Sequence, residues 1–211
     1  MVTPPVGLKV PRTPPRPLTR TAQDLRDYQG VLWRIHRTVG EHVLAWNRLR
    51  SHGPLATMRW EPHPERRGDH REGVLYAATD LGTAAAEVFQ ATRLIDTISG
   101  MPHATAWQPT RPLRLLDLTK AWALRNGAAA ALGAAPRSTC RAWARSIATT
   151  WPNLDGLWVT STMTGHHSVV LWNPAGDSFP SAPQFSRPLA DPTLRAILSR
   201  IAAKDLNYRI L

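Results

Sequence analysis

The sequence predicts an α+β, mixed α/β fold: a single domain whose central, largely antiparallel strands are flanked by helices. Three observations carry this. Apolar runs of strand length alternate with stretches of helical period, one long amphipathic helix stands out near residues 136–151, and two late strands flank a short polar turn like a hairpin. A regular parallel βαβ array would not contain that hairpin. With 211 residues, 43% of them hydrophobic and nine of them tryptophan, the chain can bury one sizeable core.

The elements follow in order. Residues 1–24 hold six prolines and four basic residues, a composition that reads as a flexible extension ahead of a domain at 25–211. Val31 to His36 reads as a strand, and Gly40 to Arg50 as a helix with Val43, Leu44 and Trp46 as its apolar members. Pro62 to Glu72 is a charged loop. Gly73 to Ala78 is a strand, followed by Thr79 and Asp80 as N-cap candidates and by Leu81, Ala84, Ala85, Val88, Ala91 and Ile95 at helical spacing. Leu113 to Leu118 is a further strand. In the helix from about Pro136 to Trp151, residues Cys140, Trp143, Ala144, Ile147 and Trp151 make one apolar stripe, which makes Cys140 a core residue. Gly156 to Ser161 and Ser168 to Trp172 form the hairpin around the 162–167 turn, and Asp191-Pro192 opens a last helix with Leu194, Ile197, Leu198 and Ile201 inward.

Composition limits the function classes. The formal net charge is +11, yet Lys9, Lys120 and Lys204 are the only lysines and the arginines are scattered. No helix-turn-helix, zinc-finger or RNA-binding signature accompanies that charge, so a solvated basic surface is favoured over nucleic acid as the main partner; a non-catalytic basic nucleic-acid-binding module remains an alternative. No segment reads as a targeting sequence or a membrane span. Cys140 is the only cysteine, and the expected compartment is the cytoplasm. His166 and His167 have no cysteine or carboxylate at zinc spacing, so no metal is expected.

Three segments set one polar residue among apolar ones: Arg34 in Leu32-Trp33-Arg34-Ile35, Glu87 in Ala86-Glu87-Val88, and Ser161 after Gly156-Leu157-Trp158-Val159-Thr160. Burying each alone is costly, so the economical expectation is that the fold gathers them in one cleft. At 100° per residue, Glu87 lies about 60° from Ala84, at the edge of its helix's apolar stripe. A buried ion pair between Arg34 and Glu87 is the structural alternative. Tyr76 reads equally as a core tyrosine, and Arg59 as a cation–π partner of Trp60.

Trp33-Arg34-Ile35, Arg59-Trp60, Gly73 to Ala78 with Ala86-Glu87-Val88, Ser161, and Leu171-Trp172-Asn173-Pro174 together resemble the RES domain family, named for its arginine, glutamate and serine. The resemblance covers about residues 31–174. It departs at Thr57-Met58-Arg59-Trp60-Glu61-Pro62, where the family usually has Gly-Gly-Arg-Trp-Asn-Pro. The resemblance implies an ADP-ribosyltransferase-like fold and an NAD-degrading activity, usually that of a toxin held by a cognate antitoxin. Some members act as NAD phosphorylases or glycohydrolases, others as protein ADP-ribosyltransferases. On that reading no resident cofactor is needed: NAD is the substrate and inorganic phosphate a possible co-substrate. Glu87 would stabilise an oxocarbenium-like transition state, Arg34 and Arg59 would fork onto the pyrophosphate, Tyr76 would stack on the nicotinamide, and Ser161 would position a ribose hydroxyl or the attacking group.

Overall fold

The computed structural model describes residues 9–211. In order, the elements are β1 (Leu25–Tyr28), β2 (Leu32–Arg37), β3 (Arg50–Gly53), β4 (Gly68–Ala78), α1 (Leu81–Val88), β5 (Leu94–Ile95), β6 (Pro102–Trp107), β7 (Leu113–Asp117), α2 (Trp122–Arg125), α3 (Arg137–Thr150), β8 (Gly156–Thr160), β9 (His167–Trp172), β10 (Phe185–Pro188), α4 (Pro192–Ile201) and β11 (Arg209–Ile210). One sheet runs β1-β7-β8-β9-β4-β2-β6-β10, with β3 pairing on β4, while β5 and β11 form a separate parallel pair. Within the large sheet only β7 and β8 run parallel. The largely antiparallel α+β architecture read from the sequence is the one observed.

The core divides by sheet face. Cys140, Trp143, Ala144 and Ile147 of α3 pack on Leu157, Val159, Val170 and Trp172, as the helical stripe required. Ala84 and Ala85 of α1 pack with Ile35, Ala78, Leu194 and Leu198. Leu32, Leu75, Trp107 and Trp158 lie together in a third cluster. The hairpin of β8 and β9 and the Asp191 cap of α4 also stand as read; of the predicted inner face of α4, however, Ile197 is 36% exposed.

Four readings need correction. Residues 40–50 form no helix: the Ala45 and Trp46 carbonyls accept from Arg34, and the Trp46 ring packs on Trp107 and Phe179. The charged 62–72 stretch is strand from Gly68 on, because β3 supplies a partner at His52↔Asp69 and Gly53↔Gly68. Helix α1 stops at Val88, and Ile95 sits in β5 because β11 pairs with it there.

The fourth concerns the extension. From Lys9 it is laid against the domain, with Val10 and Leu18 on the α3 cluster. The Pro11 carbonyl accepts from the Trp143 indole at 2.9 Å and the Thr19 carbonyl from the Trp122 indole at 3.0 Å. Deeply buried indoles need acceptors, and a proline-rich strand supplies carbonyls while asking for few donors in return. Residues 1–8 lie outside the described residues.

Candidate functional site

The sheet forks at one edge of β4. Its other edge is zipped to β9 from Val74 to Ala78. On the forked edge β3 pairs at Arg50↔Val74 and β2 only at Trp33↔Ala78, leaving residues 75–77 between two diverging neighbours. Beyond that pair β2 follows β6, from Leu32↔Trp107 to Arg37↔Pro102. Immediately after Ala78, Asp80 caps α1 by accepting from the Thr83 N–H at 2.7 Å, and α1 carries Glu87 back over the cluster that holds Trp33 and Ile35.

Glu87 and Ser161 meet directly: the Ser161 hydroxyl donates to Glu87 Oε1 at 2.6 Å. The Ser161 oxygen accepts the N–H groups of Met163 at 3.1 Å and Thr164 at 3.3 Å. A hydroxyl has one proton and two lone pairs, so all three are committed, and Ser161, only 3% exposed, is a positioner of the carboxylate. Gln90 orients the other side, donating to Glu87 Oε2 at 3.3 Å and to the Glu87 carbonyl at 2.8 Å. Sequence reasoning missed Gln90, although it stands one helical turn beyond Glu87.

Arg34 stands on β2 with Trp33 and Ile35 turned towards α1, so strand alternation aims its side chain to the opposite face. There its Nη1 donates to the Trp46 carbonyl at 2.7 Å. Among the described residues it makes no ion pair, and Glu87 makes none either, so the Arg34–Glu87 pair considered from the sequence is absent. Burial and then the charge of Arg50 lower the Arg34 guanidinium to about 10, still protonated at neutral pH. Arg34 is thus a partly buried cation whose only hydrogen-bond partners among the described residues are two backbone carbonyls, which leave its charge without a counter-ion there.

The two remaining candidates are held by the scaffold. The Tyr76 oxygen accepts the Trp60 N–H at 3.2 Å, and burial drives its phenol above the ordinary range, so it is neutral and packs against the α3 cluster. Arg59 donates to the Ala135 carbonyl at 2.7 Å, and among the described residues it is no cation–π partner of Trp60. Glu61, in place of the family's usual asparagine, is fully buried. It pairs with Arg50 and accepts the Leu55 N–H at 2.6 Å. Burial alone would raise its carboxyl, but His63 nearby, Arg50 and that N–H hold it below the usual range. The acid is therefore a compensated structural group.

Beside Arg34, His36 Nε2 bonds Thr105 Oγ1 at 3.0 Å, and Thr105 Oγ1 lies 2.9 Å from Ser186 Oγ. Burial first, then the Arg34 charge, pulls His36 down to about 4 from its usual 6.5. Its folded value lies below the unfolded one, so its contribution to stability is complete above 6.5 and is lost as pH falls towards 4. We expect the wild type to lose stability across that window and His36→Gln to lose less, read as denaturation midpoints at pH 7, 5.5 and 4.5. Equal losses in both proteins would refute the assignment.

Two hollows of about 230 and 260 Å³ share Trp151, Pro152 and Leu154, at the end of β8 remote from Ser161, and neither is lined by Arg34, Glu87 or Ser161. Among the described residues no group of three or more His, Cys, Asp or Glu could hold a metal, and no helix is long and apolar enough to cross a membrane.

Comparison with known proteins adds three findings. The RES domain model matches residues 31–193. No curated protein matches the chain. The crystal structure of the M. tuberculosis MbcT-MbcA toxin-antitoxin complex is similar over 87% of this chain and 94% of that one, with a TM-score of 0.58 and 16% identity. At that identity the likeness establishes a shared fold.

Proposed function

Because this chain belongs to the RES domain family, we propose that it is an NAD-degrading enzyme of the toxin class, cleaving the bond between nicotinamide and ribose with phosphate or water as acceptor. The observation that carries the reading is the Ser161–Glu87 hydrogen bond, which fixes one carboxylate oxygen and leaves the other side open except for the Gln90 amide. Nicotinamide departs from a cationic ring and needs no proton. Catalysis then rests on stabilising positive charge on the ribose, which a fixed carboxylate does. Among the described residues no histidine ring bonds the Ser161 hydroxyl, and that hydroxyl already donates its only proton to Glu87, which argues against a serine-nucleophile mechanism.

Arg34 supplies the second station. It lies across β2 from α1, at the mouth of the fork, so Glu87 and Arg34 suit a long ligand whose charged pyrophosphate is several bonds from the scissile bond. NAD has that shape. Arg34 would hold the pyrophosphate, with Tyr76 and Arg59 acting by keeping the walls in place. A cognate antitoxin is the expected partner: the fold is shared with a chain solved in a toxin–antitoxin complex, and an enzyme that consumes NAD requires restraint in its host.

The test is NAD turnover by the purified protein with and without inorganic phosphate, products identified by mass. Nicotinamide release is expected in either case. ADP-ribose 1''-phosphate would assign phosphorolysis, free ADP-ribose hydrolysis, and ADP-ribosylated protein the transferase alternative. Intact NAD after prolonged incubation with folded protein would overturn the proposal, and tight, salt-sensitive nucleic-acid binding in its place would favour the binding module.

A further inference from the structure

We infer that Thr83 and Thr164 form a hydrogen-bond clamp that positions the Ser161–Glu87 pair, making them positioning residues for the reaction proposed above, on which the kinetic part of this inference rests. The direction of each bond is fixed by counting protons. Thr83 Oγ1 lies 2.8 Å from Asp80 Oδ2, and an ionised carboxylate only accepts, so the Thr83 proton goes to Asp80. The 3.0 Å contact between Thr83 Oγ1 and Thr164 Oγ1 must then be a donation from Thr164. Thr164 Oγ1 in turn accepts the His166 N–H at 3.2 Å. His166 Nδ1 closes the circuit on Asp80 at 3.3 Å.

This chain of donors ties the 161–166 turn to the first turn of α1, and Glu87 stands on the last turn of that same short helix. The turn is also closed on itself, by the Ser161 N–H on the His166 carbonyl at 2.7 Å and the Gly165 N–H on the Ser161 carbonyl at 3.0 Å. Held at both ends, the turn delivers the Met163 and Thr164 N–H groups to the Ser161 oxygen, which in turn leaves the hydroxyl proton only Glu87 to bind. Thr83 is fully buried, so water does not replace its lost bond. A deleted hydroxyl would loosen the turn without removing any group that touches the substrate.

The experiment compares Thr83→Val, Thr83→Ser and Thr164→Val, alone and combined with Ser161→Ala. Thr83→Val should lower kcat about tenfold with KM within about twofold, and Thr83→Ser should restore it. With Ser161 already removed, Thr83→Val should change kcat by less than about twofold, since its route to Glu87 is gone. In native-state hydrogen exchange the Met163 and Thr164 amides should exchange at least about tenfold faster in Thr83→Val and as in wild type in Thr83→Ser. If Thr83→Val does not fold, the partly exposed Thr164→Val carries the same comparisons. Unchanged kcat, or an equal loss with and without Ser161, would overturn the inference. Should the wild type leave NAD intact, the functional reading fails alone, and the exchange rates still decide whether the clamp exists.

Discussion

Glu87→Gln is expected to leave the protein folded and nearly as stable as the wild type while nicotinamide release falls on the order of 10²–10³-fold, about 3–4 kcal/mol of transition-state stabilisation. The structure makes both halves specific. Glu87 has no cationic partner among the described residues, so a neutral amide strands no buried charge, and glutamine keeps an oxygen for the Ser161 hydroxyl. The carboxamide nitrogen would face the Gln90 amide, which now donates to Oε2, a mismatch of about 1 kcal/mol at a partly exposed position. For a chain of this size the melting temperature should move by no more than about 4 °C. The loss should fall on kcat, because the charge matters most when the ribose becomes cationic. A variant that melts normally and turns NAD over within about threefold of wild type would remove Glu87 from the mechanism.

The largest loss of stability is expected from Gly156→Ala. Gly156 opens β8 at φ 152°, paired with Leu171 of β9, and a Cβ built there would stand 1.8 Å from the Val170 carbonyl oxygen. That oxygen is backbone in the middle of the sheet, with β4 on its far side, and has no room to yield. We expect a loss above about 4 kcal/mol, in the range reserved for such steric and backbone failures, and poor recovery of soluble protein. Gly165 is the internal control. It too has positive φ, 77°, but nothing lies within 4 Å of its hypothetical Cβ, so Gly165→Ala should cost only about 1 kcal/mol of backbone strain. Urea midpoints for the two variants test the contrast, and similar values would refute it.

How much of this could be read in the sequence depends on how local each determinant is. The stripe of α3, the Asp191 cap of α4 and the β8–β9 hairpin are self-contained patterns and were legible. The false helix at 40–50 has reasonable spacing of Val43, Leu44 and Trp46, but its carbonyls are claimed by Arg34, which no local window contains. β6 went unread because Pro102–Trp107 lacks alternation: nearly all of it is buried between β2 and β10. Glu87 and Ser161 announced themselves as polar residues at apolar positions. Their partners did not, since Thr83 and Thr164 lie 81 residues apart and are joined only by the fold. Asn173, legible merely as part of a motif, turns out to hold the middle of β4 by accepting the Gly73 N–H at 2.7 Å and donating to the Arg71 carbonyl at 2.6 Å.

The proline-rich strap along the tryptophans has a consequence for how the chain is made. Its Pro11 carbonyl waits for an indole 132 positions downstream and its Thr19 carbonyl for one 103 positions away. During synthesis this segment leaves the ribosome long before α3 exists, so it must stay solvated and uncommitted, which its prolines and basic residues favour. Closing such long loops is among the slow, late steps of folding. The strap is thus made early and docked late, a seal over tryptophans that the rest of the domain has already gathered.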